Sequence, residues 1–451
     1  MKPYSWLFRR PVAAALALFV VCLGGFDQPA SADDPATSTP NPFAQSPPPL
    51  GWSSWSSTWV GNGEKLNEDY IKAQADVMAA KLKPSGFVYI NLDDFWAGGF
   101  DDHGRLQANP GKFPHGIAAL ADYVHGRGLK LGIYLTPGLR VAAWKSNGTV
   151  EGTQIHLRDI ADVNQAGNTQ GREGAAYRLD FTKPGAREYT QSYANLMASW
   201  GVDYIKMDFV GPGGGNVKAD TREEIKEWHD ALLKTGRPIW MELSNSLSIR
   251  NIASWKASSN GWRIEGDIES YGKDGKLTRW GQIVYRFNDA PKWASLAGPG
   301  GWNDLDSLEI GNGDADGLTM DERKTAMTLW AISCSPLLLG SDLTKIDDGD
   351  LALLTNAEVL AVDQAGQVAT PLSQQTQQQV WRVKNPDGSY TVALFNLGDA
   401  EAKVSVAWND LGLSGSASIR DLWQHRDLGK FDAGYDATLA PHACQLLRVT
   451  S

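Results

Sequence analysis

Cysteine is scarce in this chain: three residues in 451, at Cys22, Cys334 and Cys444. A small fold stapled by disulfides needs more, so the ordered part must stand on its own apolar core. No grouping of Cys with the seven His has the spacing of a zinc site, and no metal is expected. Positive charge is also short. With 42 Lys and Arg against 52 Asp and Glu the formal charge is −10, and no basic stripe is present to neutralise phosphates, which excludes a nucleic-acid partner. No Gly-x-Gly-x-x-Gly turn follows the first predicted strand, removing the best argument for a dinucleotide fold. Beyond the N-terminus there is no long apolar run. The one at 12–25 is too short and wrongly flanked to span a bilayer.

That N-terminal run reads instead as an export signal. Lys2, Arg9 and Arg10 precede it, and Ala30-Ser31-Ala32 offers a cleavage site, so 1–32 is assigned as a signal peptide of a secreted or periplasmic protein, with no membrane contact in the mature form. Residues 33–47, rich in Pro, Ser, Thr and Asp, are expected to be a disordered spacer.

From Pro48 a unit recurs: amphipathic helix, glycine, short apolar strand, polar residue at the strand's end. Ile71, Ala75, Met78 and Leu82 share one helical face, Gly86 follows, and the strand closes on Asp93-Asp94. Ile117, Leu120, Ala121 and Val124 lead through Gly128 to the strand ending at Tyr134. Tyr193, Leu196, Met197 and Trp200 lead through Gly201 to Asp208. Ile225, Trp228 and Leu232 lead through Gly236 to Glu242. Alternation of this kind predicts parallel strands with right-handed crossovers, and over 48–362 it fits an α/β fold, a (β/α)8 TIM barrel with loop insertions, one of them at 149–178. After 363 the texture changes to short alternating runs with a hairpin turn at Asn385-Pro386-Asp387-Gly388, predicting a small C-terminal antiparallel β-sandwich over 363–451.

The polar residues gather at predicted strand ends, where barrel enzymes carry their chemistry. Asp208 ends a strand with Lys206 two residues back on the same side, and a nearby ammonium favours the ionised carboxylate. Cleaving a glycosidic bond with retention needs such a nucleophile and a second carboxyl, about 5–5.5 Å away, as proton donor. The run Arg263-Ile264-Glu265-Gly266-Asp267 supplies one, although local chemistry alone does not choose Asp267 over Glu265 or Glu269. Asp93-Asp94 are adjacent acids that repel unless something binds them, and sugar hydroxyls donate strong hydrogen bonds to carboxylates. The chain holds 18 Trp, either core or platforms for flat ligands. Trp52, Trp55, Trp96 and Trp302 fall beside strand ends, with a core role expected for at least two of them.

Five runs in order sharpen this reading: Pro48 through Trp55, Tyr89 through Trp96, Leu129 through Tyr134, Tyr204 through Asp208, and Gly300 through Asp306. They resemble the α-galactosidases (melibiases) of glycoside hydrolase family 27, and Asp421 through Gly429 resembles that family's C-terminal sandwich, so the resemblance spans about 48–451. It implies a retaining exo-glycosidase, most simply one releasing terminal α-galactose, with a carbohydrate as partner and no cofactor. It implies Asp208 as nucleophile, Asp267 as acid/base, Asp93 and Asp94 as the pair gripping O6 and O4, and Trp55, Tyr134, Lys206 and Arg263 around the sugar. Trp302 and Asp304, in the fifth run, are expected to bind substrate as well. The sequence departs from the family where many members hold the sugar's 2-hydroxyl with Glu. Ser244 aligns there, as in relatives that prefer N-acetylgalactosamine, but Leu247 three residues on would crowd an acetamide; the 2-position preference is open, and N-acetylgalactosamine, β-L-arabinopyranose or, as in an isomaltodextranase, glucose stay as alternatives. A catalytically silent sugar-binding protein on the same scaffold is the alternative from outside the enzymes.

Overall fold

A computed structural model describes residues 40–166, 175–213 and 219–451. The proposed signal peptide at 1–32 lies outside the described residues. Eight parallel strands form one sheet: β1 (Leu50–Ser53), β2 (Tyr89–Leu92), β3 (Lys130–Leu135), β4 (Tyr204–Met207), β5 (Trp240–Leu243), β6 (Gly261–Arg263), β7 (Trp302–Asp304) and β8 (Leu337–Leu339). From β1 to β7 each pairs with its neighbour in chain order, and β1 also pairs with β8. The ring closes just past β7. There the Leu308 N–H donates to the Leu338 carbonyl at 2.8 Å, and the Gly340 N–H returns a bond to the Leu308 carbonyl at 3.2 Å. The (β/α)8 architecture read from the sequence is therefore the one observed.

The helical faces named above are what close the barrel from outside. Ile71, Ala75, Met78 and Leu82 are fully buried, as are Leu120 and Val124 on the next helix and Ile225 on another. Gly201, with φ +80°, ends the helix Ala186–Ser199 in the left-handed region, letting the chain turn directly into β4 and Asp208.

Inside, side chains stack in layers as the strands alternate. Tyr89, Tyr204, Trp240 and Trp302 are each the first residue of their strand, and they pack together with Leu338 at the N-terminal mouth. Phe43 inserts against them, its ring 5.3 Å from Trp240 in an edge-on contact. The expectation of a disordered spacer through 47 is corrected here for its last residues. Phe43 is buried, the Gly300 N–H donates to the Ser46 carbonyl at 3.1 Å, and the Asn260 side-chain amide reaches Asn41 at 3.3 Å. One aromatic side chain plugging an apolar mouth outweighs the polar composition around it.

The next layer up is tighter. A Cβ on Gly261 would lie 2.1 Å from the Glu242 carboxylate, so glycine there is what makes room for a glutamate inside the barrel.

The insertion at 149–178 contributes strands Ala161–Ala166 and Ala176–Leu179, the latter pairing with Leu139–Arg140 in a small antiparallel sheet. The last barrel helix, Ala357–Gln364, runs just past the expected boundary at 362. The second part then follows as β9 (Thr370–Ser373), β10 (Gln378–Lys384), β11 (Tyr390–Asn396), β12 (Ala402–Ala407), β13 (Ala417–Asp421), β14 (Arg426–Phe431), β15 (Gly434–Leu439) and β16 (Cys444–Thr450). They make a six-stranded antiparallel sheet ordered β9-β10-β11-β16-β13-β14 and a two-stranded sheet of β12 and β15.

Strand β11 is buried on both faces. Val392 and Leu394 meet Val404 and Val406 of β12 in the sandwich core, while Ala393 and Phe395 face the barrel. Phe287, on helix Trp280–Trp293, meets Phe395 edge-on at 4.8 Å and Trp381 at 5.9 Å. The sandwich is thus docked through aromatic packing. Cys334 and Cys444 are both free and buried.

Candidate active site

The C-terminal ends of the strands open into one cavity of about 280 Å³. Its acids are Asp93, Asp94, Asp208 and Asp267, its cations Lys206 and Arg263, and Trp55, Tyr134, Phe209 and Asn245 complete the lining. Eight of the eleven residues expected at the site are therefore brought together, from five different strand ends.

Asp93 is almost fully buried and held from three directions. Lys206 Nζ pairs with its Oδ2 at 2.7 Å, the Ser53 hydroxyl donates to the same oxygen at 3.2 Å, and the Asp94 N–H donates to Oδ1 at 2.9 Å. Asp94 in turn accepts the Phe95 N–H at 2.7 Å. The Tyr134 hydroxyl donates to Asp208 Oδ2 at 3.1 Å, and the Phe209 N–H donates to Oδ1 at 2.8 Å. Burial raises the Asp208 carboxyl above its ordinary value, with Lys206 and Arg263 working in the opposite direction. Lys206 acts on Asp208 in the sense expected from the sequence, but its direct ion pair is with Asp93 and burial wins at Asp208.

Asp267 meets the cavity from the loop after β6. Arg263 donates to its Oδ1 at 2.5 Å and the Tyr271 hydroxyl to its Oδ2 at 2.7 Å. Burial would push this carboxyl up; Arg263, Tyr271 and Lys206 together hold it below the usual range. Placement separates the three acids among which the sequence left the choice open. Glu265 accepts its neighbour Gly266 N–H at 2.8 Å and faces Asp289. Glu269 is buried behind the cavity wall, accepts the Ser56 hydroxyl at 2.6 Å, and is pushed up to about 8 by burial and by Asp306 and Asp267. Only Asp267 of the three lines the cavity.

Three expected residues are not in the cavity. Trp302 opens its strand rather than closing it. It is buried at the opposite mouth, its indole N–H donating to the Ser46 carbonyl at 3.1 Å. Asp304, last in β7, lies buried beneath the site, accepts the Asp306 N–H at 2.7 Å, and is raised to about 6 by burial and by Asp306. Ser244 is buried off the cavity, and among the described residues its hydroxyl has no hydrogen-bond partner. It is the next residue, Asn245, that reaches the space. Leu247 is buried and also off the cavity lining. Of the four Trp near strand ends, Trp52 and Trp96 are core as well, bonding the Ser341 and Tyr134 carbonyls, and Trp55 alone faces the cavity.

Among the described residues, the set closest to a metal-ligand cluster is Asp267, Glu269 and Asp306, whose carboxylate oxygens lie within 4.8 Å of one another. Arg263 already bridges two of them, reaching Asp306 at 3.3 Å as well as Asp267.

A barrel whose strand ends bring acids, two cations and an indole around a space the size of one sugar defines a glycoside hydrolase. Comparison with known proteins agrees. The alpha galactosidase A family model matches residues 47–165 and 176–365, and the alpha galactosidase C-terminal beta sandwich domain matches 375–449. The chain belongs to the α-galactosidase family, glycoside hydrolase family 27. It is 34% identical to the α-galactosidase of Cyamopsis tetragonoloba over 410 residues, covering 89% of this chain and 86% of that one. It is 35% identical to that of Coffea arabica over 401 residues, 86% and 91% of the two chains. Among solved structures it is similar to a family 27 β-L-arabinopyranosidase from Geobacillus stearothermophilus, with TM-score 0.80 and 32% identity over 90% of this chain and 96% of that one. It is also similar to α-galactosidase I from Mortierella vinacea, with TM-score 0.72 and 29% identity over 91% and 98%.

Proposed function

We propose that the protein is a secreted, retaining exo-α-galactosidase that removes terminal α-D-galactosyl residues from oligo- or polysaccharides. The observation that carries this is that Asp208 and Asp267, from two different strand ends, line one cavity that also holds the Asp93-Asp94 pair. The far mouth of the barrel is filled by Phe43 and its aromatic neighbours, so a chain end enters the pocket and goes no further. That geometry suits exo cleavage.

In the first step Asp208, ionised and oriented by the Tyr134 hydroxyl and the Phe209 N–H, attacks the anomeric carbon. The bond to the leaving oxygen breaks as Asp267 passes its proton to that oxygen. Lys206 and Arg263 stabilise the carboxylate form of Asp208 against its burial. In the second step Asp267, now ionised, takes a proton from water. The water oxygen attacks the anomeric carbon, and Asp208 leaves with its electron pair, so the α configuration is regenerated. Asp93 and Asp94 accept hydroxyl protons of the sugar, with Lys206 fixing Asp93. Export is inferred from the pattern at 1–32; no helix among the described residues is long and apolar enough to cross a membrane.

A second reading has one observation in its favour: the likeness to the Geobacillus β-L-arabinopyranosidase. β-L-Arabinopyranose is α-D-galactose without its hydroxymethyl group. The paired acids Asp93 and Asp94, offering acceptors for both O4 and O6, favour the hexose. A panel of p-nitrophenyl glycosides decides: α-galactoside, α-N-acetylgalactosaminide, β-L-arabinopyranoside and α-glucoside side by side. The highest kcat/KM belongs to the α-galactoside. A higher value for the arabinopyranoside moves the assignment to the second reading, and hydrolysis of none leaves a sugar-binding protein.

A further inference from the structure

Beside Asp267, just behind the residues that line the cavity, stands an aromatic group that the double displacement does not use. The Tyr271 hydroxyl donates to Asp267 Oδ2 at 2.7 Å and accepts the Trp55 indole N–H at 3.0 Å. Its ring meets Trp59 edge-on at 5.0 Å, and Trp55 stacks on Phe95 at 5.7 Å with 12° between planes. Yet Tyr271 is 43% exposed and sits at φ +48°, a backbone conformation unusual for a bulky residue. A large phenol held at the edge of a pocket in a strained conformation is not explained by core packing.

Its position is chemically specific. Both Asp267 oxygens accept hydrogen bonds, Oδ1 from Arg263 and Oδ2 from Tyr271. That pattern suits the ionised carboxylate, whereas the first step needs Asp267 to hold a proton facing the leaving oxygen. The phenol oxygen and a glycosidic oxygen both need to lie within hydrogen-bond reach of this carboxyl.

We propose that Tyr271, backed by Trp59, forms the leaving-group subsite for a pyranose ring, its hydroxyl occupying the place of the departing oxygen on Asp267 until a sugar displaces it. This rests on the galactosidase reading above. In the empty enzyme Tyr271 is a positioning residue that keeps Asp267 ionised; an entering sugar removes that donor, and Asp267 takes up the proton it then delivers. The phenol itself stays protonated, because burial and the charges of Glu269 and Asp267 raise it. The charged and titratable groups facing Asp267 are Arg263 on β6, Lys206 and Asp208 from β4 and its end, Glu269 and Tyr271 on its own loop, and Asp306 beyond β7.

The test uses Tyr271→Phe and Tyr271→Ala in the full chain, with thermal melts confirming the fold. In Tyr271→Phe the limb of kcat/KM that reports Asp267 moves up by about one pH unit, since a donor that favoured the charged form is gone. Glu269, pushed up to about 8, titrates apart from Asp267, and a Glu269→Gln background keeps it out of the reading. In Tyr271→Ala, kcat/KM for a galactosyl disaccharide falls roughly tenfold, the size of a lost aromatic contact. α-Galactosyl fluoride, whose leaving group has no ring and needs little acid, keeps its wild-type value within about twofold. An unmoved limb in Tyr271→Phe, or equal losses on disaccharide and fluoride in Tyr271→Ala, overturns the role of Tyr271 while leaving the activity standing. A wild-type enzyme that turns over neither galactoside removes both.

Discussion

Lys206 is the point at which stability and chemistry are most tightly coupled, and Lys206→Met separates them. Its ammonium is nearly buried, pairs with Asp93 at 2.7 Å, and shares the cavity with Asp208. Burial works against its charge, but Asp93 and Asp208 more than compensate and raise its pKa. Removing it strands the Asp93 carboxylate, 1% exposed, with the Ser53 hydroxyl and the Asp94 N–H as its remaining donors. Breaking a buried pair on one side costs about 3–5 kcal/mol. For catalysis the sign follows from the role of Asp208, which must be ionised to attack. Burial already raises its pKa, and Lys206 is the strongest influence lowering it. An opposite charge at this range is worth about 1–3 pKa units. Without it, Asp208 is protonated to higher pH, so the limb of kcat/KM that reports Asp208 moves up by about that amount. Below the limb each unit corresponds to roughly a tenfold loss in rate. The assay is a pH series of kcat/KM on an aryl α-galactoside, paired with denaturant unfolding. A kcat/KM profile that stays in place while stability falls would refute the claim that Lys206 tunes the nucleophile.

Other consequences can be checked independently. Asp208→Asn abolishes nearly all turnover while leaving the thermal midpoint close to wild type, measured with the same aryl substrate. Asp267→Ala slows galactosides with poor leaving groups far more than activated aryl ones; equal slowing would move the acid role elsewhere. Glu242 is held well above its ordinary value by burial and Asp304, so its contribution to stability is full below the unfolded-state value of about 4.3 and is lost as pH rises towards the raised folded one. Glu242→Gln, which keeps an acceptor for the Trp240 indole N–H at 2.9 Å, therefore gains stability at neutral pH relative to acid pH in melts at the two conditions. Phe395→Ala, at the seam between sandwich and barrel, loses about 3–5 kcal/mol in denaturant unfolding.

The sequence made the architecture legible because its signals were local. The helices leading into β2, β3, β4 and β5 announced their buried faces by spacing, the left-handed turns after them carried Gly86, Gly128, Gly201 and Gly236, and polar residues followed at the strand ends. Asp208, Asp93 and Lys206 were visible for that reason, whereas Asp267 was singled out only by the family resemblance. Trp302 was misplaced because a strand of three residues has a functional end and a structural end, and the motif does not say which end a tryptophan occupies. Ser244 was misplaced by one residue, since after β5 the chain turns and it is Asn245 that reaches the cavity. Phe43 hid in a segment whose composition is that of a spacer. Tyr271 carried no sequence signal: its role depends on a loop that folds back to set a hydroxyl on Asp267, a contact made by tertiary structure.

The most direct test of two acids working on one sugar in succession is the configuration of the first product. Proton NMR of the wild-type enzyme acting on an α-galactoside should show α-galactose accumulating first, with the β-anomer following only through mutarotation. If β-galactose appears at once, water attacks directly and the nucleophilic role given to Asp208 is wrong.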